Sequence, residues 1–241
     1  MNALIPARAG SKGIKNKNII DIGGFPLIVY SIAVCDKCDK INKIFVSTDN
    51  SDIAQISLKY SGYSSKVVIP SLRPKEIATD ISTDYDVLKH YFEEFCKSED
   101  EVAFIRPTTP NRNYRILNLM IETYENVYKR DCSGARSMHE IESVYKMFQI
   151  GGNGFCYGFF DDYKGNKNYT NLPRQSFSRS FHPNGYLDIV KQETIKKGYD
   201  FGDYIKPLII EKVLELDSKD DLRLVTLDLL NSELYASMKL L

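Results

Sequence analysis

The stretch that decides the fold is residues 3–18, which read ALIPARAGSKGIKNKN. Its apolar start, Ala3-Leu4-Ile5, predicts a short buried strand. The polar loop after it contains two glycines, a serine, an arginine and three lysines. Small residues let backbone N–H groups approach an anion and the cations neutralise its charge, so the loop predicts a polyphosphate site. Its spacing matches neither the Walker A pattern GxxxxGK(S/T) nor the dinucleotide pattern GxGxxG.

Outward from this loop, short apolar runs alternate with helical periodicity through about residue 130. The predicted strands are residues 43–46, 66–69, where Pro70 is expected to end the strand, and 102–105. The predicted helices are residues 26–35, a helix capped by residues 49–52 and running to residue 60, residues 83–97 and residues 114–128. This alternation predicts an α/β fold with a mostly parallel sheet covered by helices on both faces.

The pattern changes beyond residue 131. Residues 132–160 predict strands without helices between them, and residues 161–182 form a long polar, irregular stretch. Further strands are expected at residues 185–190 and 213–216, followed by a closing helix over residues 219–239. Because a long loop in a compact domain usually has a function, the irregular stretch is interpreted as a subunit-exchanged arm or a substrate lid.

Composition excludes several classes of function. Among 241 residues, 32 basic and 32 acidic side chains cancel, so no basic surface for nucleic acid is expected. No apolar run approaches the roughly 20 residues of a membrane helix, and the first residues lack the pattern of a signal peptide. Five cysteines, including the pair Cys35 and Cys38, are expected to be ordinary reduced thiols, which gives a cytoplasmic location as the default.

Six segments, in order, resemble the motifs of one family. Residues 5–18 are similar to the signature loop of the CMP-sialic acid synthetases, the acylneuraminate cytidylyltransferases. The other matching segments are residues 47–49, 73–80, 106–110, 174–175 with 183–185, and 214–217 with 221–222. The resemblance covers essentially the whole chain.

The resemblance implies a three-layer sheet of the nucleotide-diphospho-sugar transferase type. It implies a single cytidylyltransferase domain over residues 1–241, in which residues 138–182 protrude as a strand-rich arm that forms a homodimer. The implied reaction joins CTP to an acidic eight- or nine-carbon sugar, a nonulosonic acid, and gives a CMP-sugar and pyrophosphate. Positioning and charge neutralisation would supply most of the catalysis.

The resemblance also assigns site residues. The residues expected to bind the nucleotide are Arg8, Gly10, Ser11, Lys12, Gly13, Lys17, Asn18, Arg73 and Asp84. The residues expected to bind the sugar are Arg106, Thr108, Lys146, Arg174, Gln175 and Asp188. Arg8, Lys17 and Asp217 are expected to be catalytic. Without the other motifs, Arg174 would be interpreted as a solvated loop cation.

A metal site is expected at Glu215 and Asp217. The two acids are one residue apart on a predicted strand, so both carboxylates would point to one face. Carboxylate and phosphate oxygens suit Mg²⁺, which would bridge the protein to the nucleotide. The alternative is two exposed acids before a helix N-terminus, where acids are favourable in any case.

Departures from the family pattern suggest an unusual substrate. Arg106 replaces a glutamine, Asp188 stands near a usual tyrosine, Glu215 replaces an aspartate and Asp84 stands where a serine is frequent. Asp188 could pair with Arg106 or accept a hydrogen bond from a substrate. We therefore expect a bacterial relative of sialic acid, such as legionaminic, pseudaminic or an amino-ulosonic acid, rather than N-acetylneuraminate. The alternatives are a Kdo-type or other sugar nucleotidyltransferase and a non-catalytic nucleotide-binding homologue.

Overall fold

A computed structural model describes residues 1–11, 13–61, 66, 68–95 and 100–240. The strands in this part are β1 (Asn2–Pro6), β2 (Asp21–Ile22), β3 (Phe25–Pro26), β4 (Ile44–Thr48), β5 (Val68–Leu72), β6 (Glu101–Phe104), β7 (Gly134–Ile141), β8 (Phe148–Ile150), β9 (Cys156–Gly158), β10 (Ser180–Lys191) and β11 (Ile205–Ile209). The helices are α1 (Leu27–Lys37), α2 (Ser51–Ser61), α3 (Asp84–Glu94), α4 (Tyr114–Thr123), α5 (Gln192–Lys196), α6 (Lys219–Leu230) and α7 (Glu233–Met238).

A seven-stranded sheet in the order β11-β7-β10-β6-β1-β4-β5 forms the centre of the fold. β1 pairs in parallel with both β4 and β6, β4 pairs in parallel with β5, and β10 runs antiparallel to β6. Helices α1, α2 and α3 connect the parallel strands, as crossover connections require. The predicted mostly parallel sheet is confirmed.

Both faces of the sheet are buried. Leu4 of β1 packs with Leu88 and Phe92 of α3 and Ile195 of α5 in one apolar cluster. Neighbours along a strand point to opposite faces, and Ala3 and Ile5 on either side of Leu4 are also fully buried. Both faces of the sheet are therefore covered around β1, and α3 and α5 cover the face that carries Leu4.

Proline lies in the middle of both edge strands. The prediction that Pro70 ends its strand is wrong, because Pro70 pairs with Val46 inside β5. Arg73 donates its N–H to the Thr48 carbonyl, and N–H directions alternate along a strand, so position 70 faces away from β4. Pro207 in β11 faces away from β7 by the same argument, because the Ile210 N–H donates to the Met138 carbonyl. A missing donor is tolerated at such positions.

Two further expectations about the second half are wrong. Residues 213–216 are not a strand. The expected closing helix is two helices, α6 and α7, because the Ser232 hydroxyl accepts from the Tyr235 N–H and starts a new helix. In the first half, the expected helix over residues 114–128 is present, but only its first part, α4, is α-helical. From Tyr124 to Tyr128 the helix continues as a single π-helical turn.

The chain forms two compact units. The first consists of residues 1–137, 184–208 and 213–241, and the second of residues 138–183 and 209–212. The expected arm, residues 138–182, falls in the second unit, where β8 and β9 form a hairpin. No helix within the described ranges is long and apolar enough to cross a membrane.

The cysteines of the described residues are free thiols. Cys35 and Cys38 are buried at the end of α1, and burial raises the pKa of Cys35 to about 12. A thiol with a raised pKa is a poor nucleophile, which agrees with the interpretation as ordinary reduced thiols. Cys96 lies outside the described residues.

Candidate active site

A cleft of about 250 Å³ in the first unit collects most of the expected nucleotide-binding residues. It lies among the loops that follow β1, β5 and β6, the place where parallel α/β sheets bind ligands. The expected site residues that line it are Arg8, Ser11, Gly13, Lys17, Asn18, Arg73, Asp84, Arg106 and Thr108. Gly10 is exposed on the same loop, and Lys12 lies outside the described residues.

The glycine loop after β1 is anchored at both ends. The Ala7 N–H donates to the Ser47 carbonyl at 2.8 Å, and the Ala9 N–H donates to Asp49 Oδ1 at 2.9 Å. Asn18 Nδ2 donates to the Arg8 carbonyl at 2.9 Å from a nearly buried position. These bonds fix both ends of the loop, which leaves its glycines and serine to approach a ligand.

Besides Arg106, the described cations that line the cleft are Arg8, Lys17 and Arg73. Arg8 pairs with Asp80 at 2.7 Å, and Lys17 Nζ lies 3.2 Å from Asp217 Oδ1. Arg73 is only 6% exposed, its Nε has no hydrogen-bond partner in the described structure, and burial lowers its pKa. A buried donor without a partner is costly, so an anion in the cleft would satisfy a group that the protein leaves open.

The segment around Asp217 touches the glycine loop. A Cβ on Gly13 would lie 2.4 Å from the Asp217 carbonyl oxygen, so only glycine fits there. Asp221 accepts hydrogen bonds from the N–H groups of Asp217 and Ser218 and from the Ser218 hydroxyl, in the capping box of α6. These bonds lower the pKa of Asp221 and give it a structural role.

The strand argument for the metal pair is wrong, because residues 213–216 form no strand. The Leu216 N–H instead donates to the Thr108 carbonyl at 2.7 Å. Glu215 is half-buried, and its Oε2 would lie 3.7 Å from a Cβ on Gly185. Asp217 is exposed beside Lys17. In the ranges that the structure describes, no group of three or more His, Cys, Asp or Glu residues is arranged to hold a metal.

Arg106 is held between two acids. Its Nη1 donates to Asp188 and its Nη2 donates to Asp84, while its guanidinium lies 5.0 Å from the centre of the Phe104 ring. Burial alone would lower the pKa of Arg106, but the two carboxylates raise it overall. Asp188 is fully buried and also accepts from Arg136 Nε at 3.2 Å. Of the two options for Asp188, the structure has the pairing with Arg106, and the carboxylate exposes no surface to a substrate.

The other expected sugar-binding residues lie in the second unit. Lys146 Nζ donates to the Thr170 carbonyl at 2.8 Å. Arg174 pairs with Glu142 and is 72% exposed, and Gln175 lines a groove next to it. Within the single chain, these three residues are therefore not among those that line the cleft of the first unit.

Four structural residues of the site were not assigned from the sequence: Asp49, Asp80, Arg112 and Arg136. Asp80 is the last residue of the motif at residues 73–80, and this position in a motif is a signal that the residue belongs to the site. Its partner Arg8 is 72 residues away in the chain, so the pairing itself has no local signal. Arg112 follows the motif at residues 106–110 and is almost completely buried. No pattern in the sequence indicates that its side chain turns inward.

The chain is similar to known cytidylyltransferases. Residues 2–148 match the family model described as Cytidylyltransferase. The N-acylneuraminate cytidylyltransferase of Escherichia coli is 29% identical over 221 residues, which cover 90% of this chain and 49% of that protein. The pseudaminic acid cytidylyltransferase of Campylobacter jejuni is 28% identical over 186 residues, covering 76% of this chain and 74% of that protein. The chain spans about half the length of the N-acylneuraminate cytidylyltransferases that it matches.

A solved structure shares the fold. The structure of CMP:2-keto-3-deoxy-manno-octonic acid synthetase complexed with CTP superposes with a TM-score of 0.66 at 14% identity, covering 94% of this chain and 96% of that one. The resemblance to the CMP-sialic acid synthetases is confirmed by the comparisons of sequence. The protein belongs to the cytidylyltransferase family.

Proposed function

We propose that the protein transfers a cytidylyl group from CTP to an acidic nonulosonic sugar and releases pyrophosphate. The observation that carries this proposal is the cleft at the carboxyl ends of β1, β5 and β6, where Arg8, Lys17 and Arg73 surround a glycine loop. Cations and backbone N–H groups in this arrangement fit a triphosphate. The identity of the nucleotide as CTP and the class of the sugar are inferred from the names of the relatives.

The reaction is an in-line displacement at the α-phosphorus. The anomeric oxygen of the sugar forms a bond to this phosphorus while the bond to the oxygen that bridges to the β-phosphate breaks. The hydroxyl proton goes to solvent, and pyrophosphate leaves with the electron pair. Arg8 and Lys17 exchange Asp80 and Asp217 for phosphate oxygens, so their charges neutralise the group that leaves.

Mg²⁺ fits the residues beside the glycine loop. Asp217 offers an exposed carboxylate next to Lys17, and Glu215 is two residues earlier on the same segment. Such hard oxygen donors suit Mg²⁺, which usually takes one or two carboxylates and completes its shell with water and phosphate. We propose that Asp217 and Glu215 hold the ion, which when bound supplies positive charge to the phosphates. Lys17, released from Asp217, then binds a phosphate oxygen.

The sugar is proposed to be a bacterial relative of sialic acid rather than N-acetylneuraminate. Arg106 and Asp84 line the cleft as a charged pair where the family usually has uncharged residues. Charged groups that are already paired favour a ligand with matching polar substituents and disfavour one without them. Lys146, Arg174 and Gln175 of the second unit remain the proposed contacts to the sugar, with the arginine fork suited to its carboxylate.

A homodimer in the cytoplasm completes the proposal. The β8–β9 hairpin of the second unit exposes a set of large apolar side chains, in particular Phe148, Ile150, Phe155 and Phe159. Exposed apolar patches of this kind mark interaction surfaces, and a second copy of the chain in a C2 dimer is the simplest occupant. The free cysteines of the described residues support a reducing compartment.

The test is pyrophosphate release from CTP and Mg²⁺ over a panel of acids. The panel contains N-acetylneuraminic, legionaminic, pseudaminic, Kdo and 8-amino-Kdo acids, with UTP as the control nucleotide. Release with a legionaminic- or pseudaminic-type acid supports the proposal. Efficient turnover of N-acetylneuraminate with no gain from the other acids overturns the proposed substrate. No release with any acid, from a folded protein that still binds CTP, overturns the proposed activity.

A further inference from the structure

Arg112 is a buried cation whose hydrogen-bond partners are all neutral. Its side chain is 1% exposed at the end of the loop that joins β6 to α4. Nε donates to the Tyr186 carbonyl at 2.8 Å, and Nη2 donates to the carbonyls of Arg106 at 2.7 Å and Gly185 at 2.9 Å. Nη1 donates to the Ser31 hydroxyl at 3.3 Å.

Burying this charge is costly. Burial lowers the pKa of Arg112 to about 10. Among the described residues, its hydrogen-bond acceptors are three carbonyls and a hydroxyl and include no carboxylate. An apolar side chain of similar size would avoid this cost if the position only filled space. A guanidinium, in contrast, presents five donors in a fixed plane, which a lysine ammonium cannot imitate. The three carbonyls use this fixed geometry.

The three carbonyls belong to two segments of the site. Arg106 begins the loop after β6, whereas Gly185 and Tyr186 lie at a kink in β10. The kink has a positive φ of 62° at Gly185, and a Cβ there would lie 2.9 Å from Thr109 Oγ1. Thr109 Oγ1 also donates to the Asn184 carbonyl, so the loop after β6 holds the kink at two points.

The same loop holds the segment that bears the acids. The Thr108 carbonyl accepts the Leu216 N–H, one residue before Asp217 and one after Glu215. Arg8, Lys17 and Arg73 come from other loops and make no hydrogen bond to Arg112. The loop after β6 therefore helps to position the acid segment, which also contacts the glycine loop at Gly13 and Lys17. Arg8 and Arg73, in contrast, lie on loops that Arg112 does not hold.

We propose that Arg112 is a positioning residue for the chemical step, which joins the loop after β6 to the β10 kink and so places the acid segment. The proposal rests on the proposed function. It gives Arg112 no contact with CTP or with the sugar. Its loss should therefore lower the rate of transfer without weakening the binding of the triphosphate.

The test compares Arg112→Lys with Arg115→Lys, an exposed arginine three residues later that pairs with Glu233. Small displacements of catalytic groups cost rate, so we expect kcat of Arg112→Lys to fall by about 10- to 100-fold. The KM for CTP should stay at the wild-type value, and a higher Mg²⁺ concentration should be needed for half-maximal rate. Methylguanidinium should restore part of kcat to Arg112→Ala and none to Arg112→Lys. Arg115→Lys should match the wild type.

Each outcome decides the matter. A folded Arg112→Lys with wild-type kcat, or one whose KM for CTP rises as its kcat stays constant, overturns the proposal. If the Arg112 variants do not fold, Thr109→Val removes the second tie to the kink at a fully buried position, and its kcat should fall with the KM for CTP unchanged. Wild-type kcat in Thr109→Val then overturns the proposal. If the wild type and Arg115→Lys, which are measured in the same series, are both inactive, the proposed function is rejected instead.

Discussion

Asp188→Asn should destabilise the protein strongly, although it only replaces one carboxylate oxygen by an NH2 group. The carboxylate is fully buried and accepts from two arginines, Arg106 and Arg136. An asparagine keeps one acceptor oxygen, but its NH2 group would face the other guanidinium, donor against donor. One partly buried guanidinium group would then lose its counter-charge and its hydrogen bond together.

The size of the loss in unfolding free energy depends on the contacts that each arginine retains in Asp188→Asn. Removal of one partner from a buried ion pair typically costs 3–5 kcal/mol. Arg106 keeps Asp84, and Arg136 keeps its stacking on the Phe201 ring at 4.0 Å and is 23% exposed. These remaining contacts place the loss at the lower end, about 3 kcal/mol. With an m value of about 2–3 kcal/mol per M, the urea midpoint should fall by about 1 M.

The assay is urea unfolding followed by circular dichroism, with Arg115→Gln as the control. Arg115 and its partner Glu233 are 65% and 71% exposed, so loss of that pair should cost less than about 1 kcal/mol. A loss below about 1 kcal/mol for Asp188→Asn, equal to that of the control, would refute the view that the buried Asp188 neutralises two partly buried guanidinium groups.

Three other predictions test single features. Asp217→Ala should abolish Mg²⁺-dependent pyrophosphate release and leave the urea midpoint unchanged, since the side chain is 69% exposed; unchanged release removes Asp217 from the site. Gly13→Ala should lower both stability and pyrophosphate release, because its Cβ would lie 2.4 Å from the Asp217 carbonyl oxygen; wild-type values for both would contradict this close approach. Burial, together with the charges of His182 and Lys212, lowers the pKa of His139 from its ordinary value of 6.5, so the unfolded chain binds a proton there more readily than the folded protein does. Stability should therefore fall as the pH drops below 6.5, and less steeply in His139→Gln; equal pH dependence of the urea midpoint in both proteins counts against this.

The sequence predicts the parallel part of the fold because local patterns there agree with the final contacts. The apolar runs of β1, β4 and β6 are buried on both faces, and a continuous apolar run is the signal of such strands. Pro70 misleads, because its cost depends on which side of the strand has a neighbour, and this is a property of the whole sheet. The segment at residues 213–216 misleads for a related reason, since the Leu216 N–H is taken by a loop and not by a strand.

In the candidate site, too, features with a local sequence pattern could be predicted, and features that depend on distant contacts could not. The position of the glycine loop directly after β1 could be predicted from the sequence, because small and cationic residues follow a short apolar run there. The pairing of Arg106 with Asp188 was one of two options, and only the buried position of β10 beside β6 selects it. The roles of Arg112 and Asp80 depend on contacts between segments far apart in the chain, and no periodicity or spacing records such contacts.

The two prolines of the edge strands have a consequence for how copies of the protein can associate. An open sheet edge offers free N–H and C=O groups to a strand of another molecule, which is a route to aggregation and to continuous intermolecular sheets. Pro70 and Pro207 each remove a donor that would face such a strand, one on each outer edge of the seven-stranded sheet. Strand addition is thereby disfavoured at both ends. Any association between copies of the protein is then directed to side-chain surfaces and away from main-chain pairing at these two edges.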